Sequence, residues 1–532
     1  MKSKYKNYLI NLIFPALVFG AVAGIGTALV VTLYKLCAHH AIAFAESGYH
    51  YLSDHAYWLP AVAAVLLGLA MLLDWIYRTV PNLRGGGIPT SIAVLRGLLP
   101  FRWLRNLVGV FVLSLTAFAI GVPLGNEGPS VQMGTAIGRG VVAPFAKKHR
   151  AWDRYSMTGG ACAGFSVATG APISGILFGI EEAHQRISPT IIIVSATAVL
   201  FSYLTTQLLS PLLGVSTTLF PDMALPKLGV GDIWMPLVVG IVMGLFAVLF
   251  LKYYRLVNTF FSRTLKKLPG GWKLFFVLVA ILLVGTLSFS FISTGHHLIL
   301  SLFEGRPALW MLILLLVVRS TGTLCANTNR ITGGIFLPIL AIGAVLASIL
   351  GKGLGGLFGL SPEHYTTVLV LGITACISGM MKMPLTAIIF SVEALSCHDN
   401  IIYVVLVVTV SFAITELFGV KSINESVLDN RLEEINEGKT TRVIDTFVTV
   451  QKDSFAVGKQ IRDIFWPANL FVLSLKHSPT RSAEVDQHGE KAIAEGDLLH
   501  VRYMTYDEAQ TREELVAIVG QQEYAEQDAD VI

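Results

Sequence analysis

Glu127 is the side chain most able to do chemistry in this 532-residue chain, because it sits in GNEGPS (125–130), between the apolar run 104–122 and a second, shorter apolar piece at 129–146. An ionisable group at membrane depth is expensive and marks function by default. Gly125, Asn126, Gly128 and Pro129 surround it, and glycines followed by a proline mark the start of a helix. A helix start offers unpaired N–H groups and about half a positive charge, which suits an anion. An ionised Glu127 would occupy the anion's place and a protonated one would leave it, making one group both gate and proton carrier.

Two more junctions are built alike. RGGGIPT (84–90) supplies Gly85, Gly86, Gly87, Ile88 and Pro89, and TGGIFLP (332–338) supplies Gly334, Ile335, Phe336 and Leu337. Several such ends meeting at one point would replace the water around a dehydrated anion without placing full positive charges in the membrane. A second acidic pair, Glu181 and Glu182, closes the run ISGILFGIEEAHQR (173–186). Neighbours on a helix are about 100° apart, so one can face the interior while the other meets solvent or a second repeat.

The elements that hold these residues are membrane segments. The chain is 54% hydrophobic and 14% charged, with a mean hydropathy of +0.65, against about 25% charged residues in soluble domains. This composition excludes a soluble enzyme. From Asp429 onward 20 acidic residues face 11 basic ones, which leaves 28 of the 39 basic and 15 of the 35 acidic residues upstream. A basic membrane body thus precedes an acidic soluble tail, an arrangement suited to positive-inside anchoring rather than to nucleic acid. Five cysteines without CxxC spacing indicate neither disulfides nor a metal site.

Apolar runs of spanning or near-spanning length recur at 8–34, 57–79, 104–122, 190–210, 229–256, 273–298, 308–318 and 401–419. Between them the Gly/Pro-interrupted pieces 129–146, 155–168, 172–183, 331–351, 366–380 and 384–395 read as too short to cross about 30 Å of hydrocarbon. Broken helices survive at that depth only inside protein or beside a water-filled cavity, which points to a transporter or channel. Lys and Arg are missing between Leu36 and Tyr77 and cluster at 102–105, 147–150 and 263–267. The connection 39–58 is therefore expected outside, and the N-terminus and basic connections in the cytoplasm.

The sequence also repeats itself. GAPISGILFGIEEA (170–183) aligns with KMPLTAIIFSVEAL (382–395), placing Pro172 on Pro384, Phe178 on Phe390 and Glu181 on Glu393. GNEGPSVQMG (125–134) aligns with GIFLPILAIG (334–343), so two motifs recur in one order at offsets of 212 and 209. Repeats meeting at the midplane through broken helices are a common way to build a transport site.

With GGGIP, GNEGP, GGIFLP and GAPISGILFGIEE in this order, the chain over about residues 10–428 resembles the CLC family of chloride channels and anion/proton antiporters. The resemblance implies a homodimer in the lipid bilayer, each subunit an α-helical inverted-repeat bundle with its own anion pathway. It implies that Glu127 is the gate and external proton acceptor, and that Glu182, 55 residues beyond, is the internal proton-transfer group. It makes Gly334, Ile335 and Phe336 backbone donors to the anion, with Gly85–Pro89 and Gly125–Pro129 as the other helix ends, and gives Glu181 and Glu393 structural roles. Three positions depart from the family: Gly86 replaces a serine, Asn126 an arginine or lysine, and Asn424 the anion-coordinating tyrosine.

Beyond Asn424, RLEEINEGKTTR reads as a polar linker. TTRVIDTFVTV, ANLFVLSLKH and EGDLLHVRYM follow as strands, with FAVGKQIRDIF and DEAQTREELVAIVG as helices. DSFAVGKQIRDIFWP and GEKAIAEGDLLHVRY resemble the C-terminal half of RCK regulators of potassium conductance, which implies a dimer-stabilising or regulator-binding module, with cyclic di-AMP among the regulators such modules take. The tail has no GxGxxG for a dinucleotide.

The expected organisation is a CLC transmembrane domain (1–428), a linker (429–441), a cytoplasmic α+β regulatory domain (442–520) and a flexible tail (521–532). The expected function is not enzymatic. It is secondary active exchange of a monovalent inorganic anion, chloride first, for protons across the plasma membrane. A passive chloride channel and a fluoride/proton antiporter are the alternatives, and a proton-coupled cation carrier is a third class that the scarcity of acidic groups in the apolar body opposes.

Overall fold

The computed structural model describes residues 12–85, 87–145, 150–223, 225–358, 362–476, 483–484, 489 and 491–521. Gly86 and residues 522–532, most of the expected tail, lie outside the described residues. Among the described residues seven helices are long and apolar enough to cross a membrane, including Phe14–Asp54, Pro189–Leu213, Gly270–Leu287 and Leu309–Thr328. Their outer faces carry Val65, Leu208, Leu212 and Leu249, all more than 60% exposed. Apolar side chains on that surface need hydrocarbon around them, and the chain is a multi-pass membrane protein.

The pieces at 172–183 and 384–395 form short helices that are half-buried, with Ile173 and Leu385 more than half exposed. Every residue of Ile88–Leu95 is buried, and Pro172–Phe178 and Pro384–Leu395 are 7 and 12 residues long, each with proline in its first turn. Two readings of the membrane segments change. The first helix does not stop near residue 34 but runs 41 residues to Asp54, taking in most of the expected connection 39–58. No proline interrupts it before Pro60 and alanines recur through 38–45, so hydropathy marks where the apolar run ends while helix propensity carries the helix on. The segment expected to be a fragment at 331–351 is a helix of 23 residues, Phe336–Phe358. Its internal Gly343 and Gly351 do not break it because Cys376 and Tyr365 pack directly against them.

The two repeats are joined by backbone. Gly125 and Gly334 form an antiparallel bridge, with N–H to O distances of 2.6 and 2.7 Å in the two directions. Within the first repeat, Glu127–Val142 packs on Asp153–Thr169 so closely that a Cβ on Gly134 would lie 2.0 Å from the Gly160 carbonyl oxygen. Small residues at that crossing let the backbones touch.

Most of the expected polar linker is helical. Ile423–Asn436 starts at Ser422, whose hydroxyl accepts from Glu425 N at 3.1 Å. Buried Arg431 pins it, donating to Thr90 Oγ1 and to Asn82 Oδ1. Beyond it four antiparallel strands form one sheet: β1 (Arg442–Thr449), β2 (Leu470–Lys476), β3 (Ala483–Glu484) and β4 (Leu498–Thr505), in the order β1-β4-β2-β3. The closing helix Glu508–Val519 is capped by Asp507, which accepts from Gln510 N. The helix expected in FAVGKQIRDIF shrinks to the 3-10 turn Ile461–Asp463, because Gly458 takes φ +80, outside the helical range.

Candidate functional site

Three glycines mark where the helix starts converge. A Cβ on Gly87 would stand 2.7 Å from Gly128 Cα, and one on Gly128 would stand 2.6 Å from Gly334 Cα. Only hydrogen fits between these backbones, so the GGGIP, GNEGP and GGIFLP junctions touch at one point. Gly87 also has φ +81, open to glycine at little cost. The convergence inferred from the motifs is therefore physical contact.

Not all of the expected donors are free. Gly125 and Gly334 spend their N–H groups on each other, Gly85 donates to Arg330 O, and Gly87 donates to Gln132 Oε1 at 2.8 Å. These bonds brace the loops against one another. Ile335, Phe336 and Leu337 open the Phe336–Phe358 helix, whose first N–H groups have no intrahelical acceptor. Asn126 precedes the Glu127–Val142 helix without capping it, and Pro129 lies in that helix's first turn.

Glu127 sits at the convergence, 0% exposed, and neither carboxylate oxygen has a hydrogen-bond partner. A Cβ on Gly125 would stand 2.5 Å from its Oε2, so the carboxylate folds back over its own loop. Beside it a cavity of about 530 Å³ is lined by Asn126 and Leu337 on one side and by Lys35, His39, His296 and His297 on another. Lys35 donates to Val167 O and Ser216 O. The helix Asp153–Thr169 reaches this cavity with Ala168 and holds the C-terminal domain at its other end through Tyr155. Seventeen residues at 1.5 Å rise separate the two ends by about 25 Å, so the cavity opens on the face away from that domain.

Glu182 lies toward the domain, 2% exposed, in the π-helical turn Gly179–His184 that follows Pro172–Phe178. Asn424 Nδ2 donates to its Oε1 at 2.8 Å, while Asn424 Oδ1 is buried without a partner. Asn424, expected at the anion, thus spends its amide on the inner carboxylate. Motif reading missed Arg96, which donates to the carbonyls of Glu182 and Ala183 and pairs with Glu425 at 2.7 Å. A lone arginine straight after an eight-residue buried helix was its only signal. Aromatic rings fill the centre of the fold: Phe165 stacks on Phe178 at 5.1 Å and meets Phe336, which meets Phe390.

The sequence profile of the voltage gated chloride channel family matches residues 69–416. The chain belongs to this CLC family. Over 389 residues, 72% of this chain and 81% of the relative, it is 28% identical to the H(+)/Cl(-) exchange transporter ClcA of Klebsiella pneumoniae subsp. pneumoniae. It is 27% identical over 397 residues to the transporter of that name from Salmonella typhimurium. A slow cyanobacterial Cl-/H+ antiporter superposes with a TM-score of 0.72 at 24% identity, covering 79% of this chain and 99% of that one. A CLC-type fluoride/proton antiporter gives 0.61 at 20% identity, covering 76% and 96%. These structures share the fold of this chain.

Proposed function

We propose that this CLC protein exchanges a small monovalent inorganic anion, chloride first, for protons. The observation that carries the reading is the unpaired, fully buried carboxylate of Glu127 at the contact point of three helix starts. Donors suited to an anion surround a group that is itself an anion, so the two compete for one place, and a proton on Glu127 releases that place. Ile335, Phe336 and Leu337 would present N–H groups to the transported ion. Glu182, on the far side of the aromatic centre, would pass protons to the side that carries the C-terminal domain.

The names of the relatives support exchange of chloride for protons. In the same reading the protein is a homodimer in the plasma membrane, residues 1–428 form the transport domain, and both termini are cytoplasmic. The four-stranded unit at 442–520 acts as an RCK C-terminal-like regulatory domain, with a small nucleotide such as cyclic di-AMP as the class of regulator to try first.

Purified protein in liposomes tests the exchange. A chloride gradient and then a fluoride gradient are imposed while anion efflux and internal pH are recorded together. Chloride efflux with opposed proton movement is the expected result. Chloride efflux with no proton movement would replace exchange by a passive channel, and preferential fluoride flux would make fluoride the substrate.

A further inference from the structure

We propose that the C-terminal domain sets the position of the inner carboxylate through Phe465, which makes Phe465 a positioning residue for proton transfer at Glu182. The inference rests on the exchange reading above.

Phe465 is 8% exposed although it belongs to the soluble domain, because its ring enters the membrane body. It stacks on His184 with centroids 4.5 Å apart and packs at a tilt against Tyr155 at 4.3 Å, and the Arg186 guanidinium lies 4.5 Å above it. The backbone on both sides is tied down. Asp463 O accepts from Tyr155 Oη at 2.5 Å, Ile464 O from Arg186, and Trp466 O from Arg154 at 2.6 Å. Asp463 Oδ1 also accepts from the Ser188 hydroxyl. The ring is therefore a wedge between the helix Asp153–Thr169 and the turn that holds Glu182.

His184 transmits the wedge. It stands two residues after Glu182 in the same π-helical turn, and its Nε2 is 2.7 Å from Thr158 Oγ1, so the ring has no freedom to slide away from Phe465. A π turn is locally wide and often marks a functional position. On its other side Glu182 is held by Asn424 and, through Arg96, by Glu425, both in the helix Ile423–Asn436 that leads into the domain. The domain thus reaches Glu182 by two routes, one through its own ring and one through the helix that carries it. Aromatic pairs with centroids this close favour particular ring orientations, so the Phe465 ring and the His184 ring fix each other's place. A shift of the domain changes the hydrogen bond and the main-chain position of Glu182 together.

Full-length protein in liposomes provides the test, with proton and anion fluxes recorded at once. Phe465→Ala is expected to lower the proton-to-anion flux ratio by about threefold, the size of an ordinary coupling perturbation. Phe465→Tyr, which keeps the stack, should restore it. In a Glu127→Ala background, where anions pass without protons, Phe465→Ala should leave anion flux unchanged, since nothing there depends on Glu182. An equal loss of anion flux in both backgrounds would mean that Phe465 only holds the fold together, and an unchanged ratio in the wild-type background would remove the link altogether. Glu182→Gln serves as the reference. If it leaves proton flux intact, the exchange reading fails at Glu182. If it abolishes proton flux while Phe465→Ala changes nothing, only the positioning inference fails.

Discussion

Glu181 and Glu393 cap each other's helices. The Glu181 carboxylate accepts from Leu385 N, Thr386 N and the Thr386 hydroxyl at 2.7–2.9 Å, and Glu393 accepts from Ile173 N, Ser174 N and the Ser174 hydroxyl at 2.7–2.8 Å. Each glutamate closes its own helix and meets the start of the other, so the two helices run antiparallel and the repeats are related by a two-fold. Glu181→Ala strands two backbone donors at a helix start, at a cost of about 1–2 kcal/mol. Glu393→Ala should cost the same by symmetry, read as equal drops in thermal unfolding temperature. A drop confined to one variant would show that the two-fold does not extend to the energetics.

The sequence disclosed this pair only by alignment, and the reasons are physical. The repeat placed Glu181 on Glu393, yet a linear string cannot give the antiparallel sense that makes each the other's cap. The glycine-proline junctions were legible because their local signal, a helix start beside a residue without a side chain, is what the site uses. The partners of Asn424 and Phe465 were not, since each bridges segments more than 200 residues apart, 242 for Asn424 and Glu182 and 281 for Phe465 and His184. Hydropathy located the spans and misjudged the helix ends at Asp54 and Phe358, because the helical backbone continues past the point where the apolar run stops.

Gly128→Ala should disable the site. Its new methyl would stand 2.6 Å from Gly334 Cα and 3.0 Å from Gly87 Cα, both backbone atoms with no rotamer to yield. The junctions must separate, at a cost of about 1–3 kcal/mol. Anion flux per folded molecule should fall to background, measured beside Gly353→Ala, whose methyl meets nothing within 4 Å. Normal flux in Gly128→Ala would mean that the contact of the three junctions is not needed for transport.

Asn424→Ala separates two roles for one side chain. If the amide serves Glu182, its loss should reduce proton flux by about tenfold, the size of a hydrogen bond to a charged group, while apparent anion affinity stays within about twofold. If the amide instead serves the anion, affinity should weaken while the proton-to-anion ratio holds. The bond of 2.8 Å to Glu182 Oε1 favours the first outcome. Anion-concentration series at fixed pH on each side of the liposome decide the matter.

Lys459 gives the C-terminal domain a pH-dependent stability. The side chain is buried, with its ammonium 3.8 Å from the Phe455 ring centroid and donating to Phe455 O, and burial lowers its pKa from 10.5 to about 8. Below about pH 8 both folded and unfolded chains hold the proton, and the cost of burying the charge is felt in full. Between about 8 and 10.5 the unfolded chain still holds a proton that the folded chain has released, so this group's contribution to stability rises with pH. Lys459→Met keeps the packing and removes the titration. The difference in unfolding temperature between Lys459→Met and wild type should therefore be constant below pH 8 and shift in favour of wild type from pH 8 to 10.5. A difference that stays flat across that window would mean that the ammonium remains charged in its pocket, held there by the ring and the carbonyl oxygen.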